Sequence, residues 1–189
     1  MKPLTPNSPH VIIMVGIPGS GKTTFAEHFA KTFQAPYINP RDVSVLTGID
    51  SKATEKVTNL LFDQLLKTKQ TLIYEGSTSL RSQRSALEKK VVSIGYTALF
   101  VWVQTDPVES RHRATKKQKT KTLNSAEFDQ ALQRFQNPVE AEKAVVISGK
   151  HTYATQLKAV LRRTALPRSQ QPVPTAQPRI VPGRNIIVR

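Results

Sequence analysis

One stretch of this sequence, Gly16-Ile17-Pro18-Gly19-Ser20-Gly21-Lys22-Thr23, has the residue types and spacing needed to hold a polyphosphate. Gly16, Gly19 and Gly21 allow the backbone to curl so that successive N–H groups point inward at an anion. Pro18 and Ser20 complete the curl, and Thr24 extends it into the next element. A helix opening at Lys22 would add the partial positive charge of its N-terminus. Lys22 is placed to reach β- and γ-phosphates, and Thr23 offers a hydroxyl to Mg²⁺. The expected ligands are therefore a nucleoside triphosphate, ATP in the first instance, and Mg²⁺. No guanine-selecting N-K-x-D run is present, which weighs against GTP.

Other residues have chemistry to offer at a distance. Glu75 follows the apolar run Thr71-Leu72-Ile73-Tyr74, where many phosphate-loop proteins carry an Asp that holds the metal. It suits Mg²⁺ held through water, or equally a carboxylate bracing the loop by hydrogen bonds. Asp42 follows a short apolar stretch at residues 36 to 38; helix capping near Val43 is one use for it. Arg111, Arg113, Lys116, Lys117, Lys119 and Lys121 form a dense basic segment. Such a segment suits stabilising charge on phosphoryl oxygens, or a solvated face, or a nucleic-acid patch. Arg81 and Arg84 read most simply as helix-surface charge. Ser77 and Thr78 are expected at the mouth of the same crevice, and Trp102 in the core.

These side chains need elements to carry them. His10–Val15 is a continuous apolar, β-branched run, as in a strand buried on both faces. Residues 22 to 33 carry Phe25, Ala26, Phe29, Ala30 and Phe33 at helical spacing. Further strands are expected at 36 to 38, 71 to 74, 96 to 103 and 144 to 147. Further helices are expected at 52 to 67, 79 to 93, 108 to 119, 125 to 135 and 153 to 163. Asp106-Pro107 has the form of an N-cap followed by a proline in the first helical turn. Strands alternating with helices predict an α/β fold around a parallel five-stranded sheet.

Composition narrows the class. The 189 residues include 28 Lys plus Arg against 13 Asp plus Glu, a net charge of +15. There is no Cys, which excludes disulfides, thiolate zinc sites and cysteine nucleophiles. No apolar run approaches the ~20 residues a membrane span needs, and no signal-peptide pattern opens the chain. The cytoplasm is the expected compartment. Residues 1 to 9 are expected to form a leader and 10 to 165 one domain. Residues 166 to 189 hold Pro167, Pro172, Pro174, Pro178 and Pro182 with Arg168, Arg179, Arg184 and Arg189, and no acid. That composition predicts a basic tail too polar to bury a core.

The loop GIPGSGKTT, the stretch Ile38-Asn39-Pro40-Arg41-Asp42, and Tyr74-Glu75-Gly76 with Arg81 and Arg84 resemble the P-loop polynucleotide kinase and zeta-toxin-like kinases, an AAA-type ATP-binding kinase domain. Arg111/Arg113 and Arg134-Phe135-Gln136-Asn137-Pro138 extend the likeness, which spans roughly residues 10 to 165. The resemblance implies a three-layer P-loop NTPase fold with strand order 2-3-1-4-5. It implies transfer of the ATP γ-phosphoryl group to a hydroxyl, a polynucleotide 5′-end or a small molecule. It makes Asp42 the general base and puts Arg111 and Arg113 in a lid over the phosphates, with Lys22 the phosphate-binding cation. It also places adenine near Ser148-Gly149-Lys150-His151-Thr152. This chain departs from the pattern at Val45, where the family often has an Arg that grips a substrate phosphate, and by lacking Arg-x-x-x-Arg in the lid segment. Two rival readings remain at this level: a non-catalytic ATP-binding module that grips nucleic acid through its basic face and tail, and a zeta-like toxin kinase acting on a nucleotide-sugar.

Overall fold

A computed structural model describes residues 8–116 and 123–164. The basic tail at 166 to 189, most of the leader, and Lys117, Lys119 and Lys121 lie outside the described residues. Five strands, β1 (His10–Val15), β2 (Tyr37–Ile38), β3 (Leu72–Tyr74), β4 (Thr97–Gln104) and β5 (Val145–Ser148), form one parallel sheet in the order β2-β3-β1-β4-β5. The helices are α1 (Lys22–Phe33), α2 (Pro40–Thr47), α3 (Ser51–Lys67), α4 (Arg81–Ser93), α5 (Pro107–Lys116), α6 (Ser125–Arg134) and α7 (Tyr153–Thr164).

The central position of β1 follows from its composition. A strand with neighbours on both edges and helices on both faces must be apolar at every position, and every residue of β1 is buried. Val11, Ile13 and Val15 face Phe62 and Leu66 of α3 and Val91 of α4. Ile12 and Met14 face Phe25 and Phe29 of α1 and Val160 of α7. Each such side chain contributes about 1.5–3 kcal/mol when removed from water, so the two faces clamp the sheet as the middle of three layers. A third, smaller cluster joins Ile17 of the glycine loop to Ala114 of α5 and Phe128 of α6. It ties the α5–α6 pair to the loop it overhangs.

Two expectations are corrected by burial. Arg84 is not surface charge: it is fully buried. It donates to both oxygens of Glu142, at 2.6 and 3.0 Å, and to the carbonyls of Thr78, Ser79 and Gln136. A helical pattern cannot reveal this, because Glu142 comes from a 3-10 turn (Glu140–Glu142) far along the chain. Thr78, expected at the crevice mouth, is instead buried, and its hydroxyl donates to Met14 O at 2.8 Å. Trp102 packs against the core only in part and borders an open cavity.

The Arg84–Glu142 pair makes stability pH-dependent. Burial alone would raise the Glu142 carboxyl. Hydrogen bonds from Arg84 and the Val139 N–H, with the charges of Arg84 and Arg81, outweigh it and hold the group below its ordinary 4.5. A lowered carboxyl stabilises the fold fully above its unfolded value and progressively less as pH falls through the folded one. Urea midpoints are therefore expected to decline as pH drops below about 4.5, and Glu142→Gln is expected to flatten that decline. Parallel curves for the two proteins would remove Glu142 as a source.

Candidate active site

The strand ends and helix starts converge at the carboxyl edge of the sheet. Between β1 and α1, Gly16, Gly19 and Gly21 all have positive φ, at 149°, 76° and 105°. Gly21 caps α1 in the left-handed region with no side-chain hydrogen bond to the helix start. The first N–H groups of α1 therefore have no side-chain acceptor, the arrangement that suits a bound anion. Gly19 is required by contact as well: a Cβ there would lie 2.1 Å from Ser110 O. Helix α5 thus runs directly against the loop.

Lys22 Nζ donates to Gly16 O and Ile17 O, both at 2.9 Å, folding its ammonium back over the loop. Burial lowers its pKa, partly opposed by the charge of Glu75. Thr23, at the second position of α1, donates its hydroxyl to Glu75 Oε1 at 3.0 Å. Glu75 Oε2 accepts from the Tyr37 hydroxyl at 2.7 Å. Burial, then the Glu75 carboxylate, push the Tyr37 phenol far above its ordinary value, so it stays a donor. Both readings of Glu75 are compatible with this geometry. It braces the loop now, and with the Thr23 hydroxyl it forms a pair of hard oxygen donors that fits Mg²⁺. No cluster of three metal-ligating side chains occurs among the described residues.

Pro18, Ser20 and Thr24 sit where the motif places them, in the loop and on the first turn of α1. Ser20 is fully buried. Its carbonyl accepts from the Thr105 hydroxyl at 2.8 Å, and a Cβ on Gly149 would meet that same carbonyl at 2.1 Å. Thr105 and Gly149 therefore pin the back of the loop. The motif does not contain them, and a glycine after the last strand was the only signal that pointed there.

Asp42 does not cap α2. Asn39 does, accepting from Arg41 N at 3.0 Å, with Pro40 as the first helical residue. Asp42 stands one turn in, exposed, on the side of the crevice where its charge reaches Tyr37. The two arginines that the resemblance puts in a lid diverge. Arg111 turns to α6, pairing with Asp129 and stacking over Phe128 at 5.1 Å. Arg113 pairs with Glu109 at 3.0 Å and donates to Gly149 O at 3.1 Å, beside the back of the loop. Arg134 is exposed at the end of α6. Asp106 caps α5, accepting from Val108 N at 2.9 Å, as its place before Pro107 implied.

A cavity of about 880 Å³ opens beside the loop, bordered by Ile17, Thr105, Phe135, Asn137, Ser148 and Lys150. A smaller one of about 380 Å³ lies on the other side of Glu75, between α2, α3 and the chain after β3.

A model of the AAA domain family AAA_33 matches residues 11–138, which is more than half of the chain. The chain belongs to this family. No curated protein matches it. Among solved structures, this AAA domain is similar to a gluconokinase from Sinorhizobium meliloti 1021, at 18% identity and a TM-score of 0.62 over 83% of this chain and 92% of that one. It is also similar to Chaetomium thermophilum Kti12 in complex with ADP-AlF3, at 12% identity and a TM-score of 0.63 over 83% of this chain and 100% of that one. A third similarity is to a chain of the Pnkp1/Rnl/Hen1 complex, at 24% identity and a TM-score of 0.51 over 62% of this chain and 44% of that one. The AAA domain thus has the P-loop kinase fold, with the strand order implied by the resemblance. No described helix is long and apolar enough to cross a membrane.

Proposed function

We propose that this AAA domain binds ATP with Mg²⁺ and transfers the γ-phosphoryl group to a hydroxyl acceptor. One observation carries the proposal: a nest of left-handed glycines leads into an uncapped helix start with the Lys22 ammonium folded over it. The loop amides and Lys22 hold the phosphates. Thr23, and Glu75 through water, would hold Mg²⁺, which spreads positive charge over the phosphate oxygens. The acceptor oxygen bonds to the γ-phosphorus, the bond from that phosphorus to the bridging oxygen breaks, and ADP leaves. The hydroxyl proton passes to Asp42, whose exposed carboxylate stands on the acceptor side. Arg113 supplies charge to the phosphates from the Gly149 side, and Arg111 joins it only by leaving Asp129. The nucleotide base lies in the larger cavity, near Ser148 and Lys150.

Asp42→Asn is expected to reduce turnover by about 10²–10⁴-fold, the usual worth of a general base, with ATP affinity unchanged. Phosphate transfer from labelled ATP to 5′-hydroxyl oligonucleotides and a metabolite extract measures the first, and calorimetry the second. Full turnover by the variant would remove Asp42 from the reaction.

The alternative is an ATP-binding module that grips nucleic acid without catalysis. The engagement of Arg111 by Asp129 and of Arg113 by Glu109, together with the net charge of +15, favours it. On that reading wild-type protein transfers no phosphate, and its oligonucleotide affinity falls steeply with salt as counterions are released.

A further inference from the structure

We infer that the acceptor is a small, uncharged polyhydroxylated molecule, taken by the cavity between α2 and α3 and selected by Glu55. The inference rests on the kinase reading for the direction of transfer, but the recognition it describes is independent of it. The cavity, about 380 Å³, is near the lower end of the ~300–1,000 Å³ typical of ligand pockets. It suits one molecule of hexitol size.

Its lining is polar for a reason visible in helix geometry. On α3, Thr54 and Thr58 are one turn apart, as are Glu55 and Asn59, so the two pairs form adjacent stripes. The threonines are buried and already committed: Thr58 donates to Thr54 O at 2.7 Å and Thr54 to Ile49 O at 3.4 Å. They make the wall. Glu55 and Asn59, with Ser44 of α2 and Ser77 beyond β3, also border the cavity, and none of the four side chains hydrogen-bonds to another described residue. Together they supply a carboxylate, an amide and two hydroxyls. A carboxylate accepts from two neighbouring hydroxyls at once, which makes a polyol the natural complement.

Charge at the cavity's border weighs against an anionic ligand. Glu55, exposed at that border, places a carboxylate there that opposes one. Arg41 is the one basic side chain among the described lining residues, and it already has a partner. The location fits transfer: Ser77 lies just past Glu75, which Thr23 holds at 3.0 Å. A hydroxyl of the bound polyol is then the oxygen that bonds to the γ-phosphorus, with its proton passing to Asp42.

The test is calorimetric titration of full-length protein, loaded with a non-hydrolysable ATP analogue and Mg²⁺, with sorbitol, myo-inositol, glucose, gluconate and a 5′-hydroxyl trinucleotide. At least one neutral polyol is expected to bind more tightly than gluconate and the trinucleotide. Glu55→Gln is expected to weaken that binding about tenfold, the worth of a charged hydrogen bond, with unchanged affinity for the ATP analogue. Stronger binding of gluconate or trinucleotide, binding by no polyol, or an unaltered Glu55→Gln protein would overturn the inference. With ATP in place of the analogue the two readings separate. A polyol that binds but receives no phosphate defeats the kinase reading and leaves the pocket assignment standing. Transfer to the trinucleotide alone does the reverse.

Discussion

Arg84→Ala is expected to lower the unfolding free energy by about 3–5 kcal/mol, the usual loss when one partner of a buried ion pair is removed. Arg84 has no exposed surface, and its guanidinium serves five acceptors: two oxygens of Glu142 and the carbonyls of Thr78, Ser79 and Gln136. Truncation strands all of them, and Glu142, whose side chain is 10% exposed, keeps a charge that water can barely reach. The loss is a large part of the ~5–15 kcal/mol that holds a domain together. It also bears on the site, because the chain from Glu75 to Ser79 runs between the Thr23 contact and the Arg84 contact. Arg84→Lys is expected to recover only part, since an ammonium lacks the planar fork that meets both Glu142 oxygens. Urea denaturation at neutral pH measures both variants. A loss below about 1 kcal/mol for Arg84→Ala, the scale of an exposed pair, would show that the pair is solvated in solution.

Lys22→Ala is expected to weaken ATP–Mg²⁺ binding by roughly 10–150-fold, from the ~1.5–3 kcal/mol of a hydrogen bond to a charged group. Any phosphoryl transfer should fall further, by about 10²–10³-fold, because charge builds on the phosphate oxygens only as the reaction proceeds. Lys22 donates to Gly16 O and Ile17 O. Binding thus replaces two carbonyl contacts with phosphate contacts of greater charge, and that difference is what the variant removes. Thermal unfolding should shift little without nucleotide, since the lost bonds are to loop carbonyls at a part-buried position. The stabilisation normally added by nucleotide should largely disappear. Titration calorimetry and melting curves with and without ATP measure these effects, and unchanged ATP affinity would refute a phosphate site at this loop.

The sequence by itself determined the layered fold and the loop. Five strand segments alternating with helical periodicity predict a parallel sheet, and the His10–Val15 run, apolar from Val11 onward, fits a strand buried on both faces; its central place is seen in the strand order. The glycine loop was legible because its chemistry lies in consecutive residues, where backbone freedom, helix start and cation have fixed spacing. Asp106 before Pro107 was legible for the same local reason. What surrounds the loop was decided only in the tertiary structure. Tyr37 reaches Glu75 through the pairing of β2 with β3, and Gly149 backs the loop because β5 pairs with β4. Arg84 became an internal strut, and Arg111 turned from the loop toward Asp129, because each found a carboxylate many residues away. Asp42 lost the capping role to Asn39 because Pro40, two residues closer to β2 than Asp42, started the helix first. Residue type and local spacing are carried along the chain, whereas the partner of a charged side chain is set by which segments the sheet brings side by side.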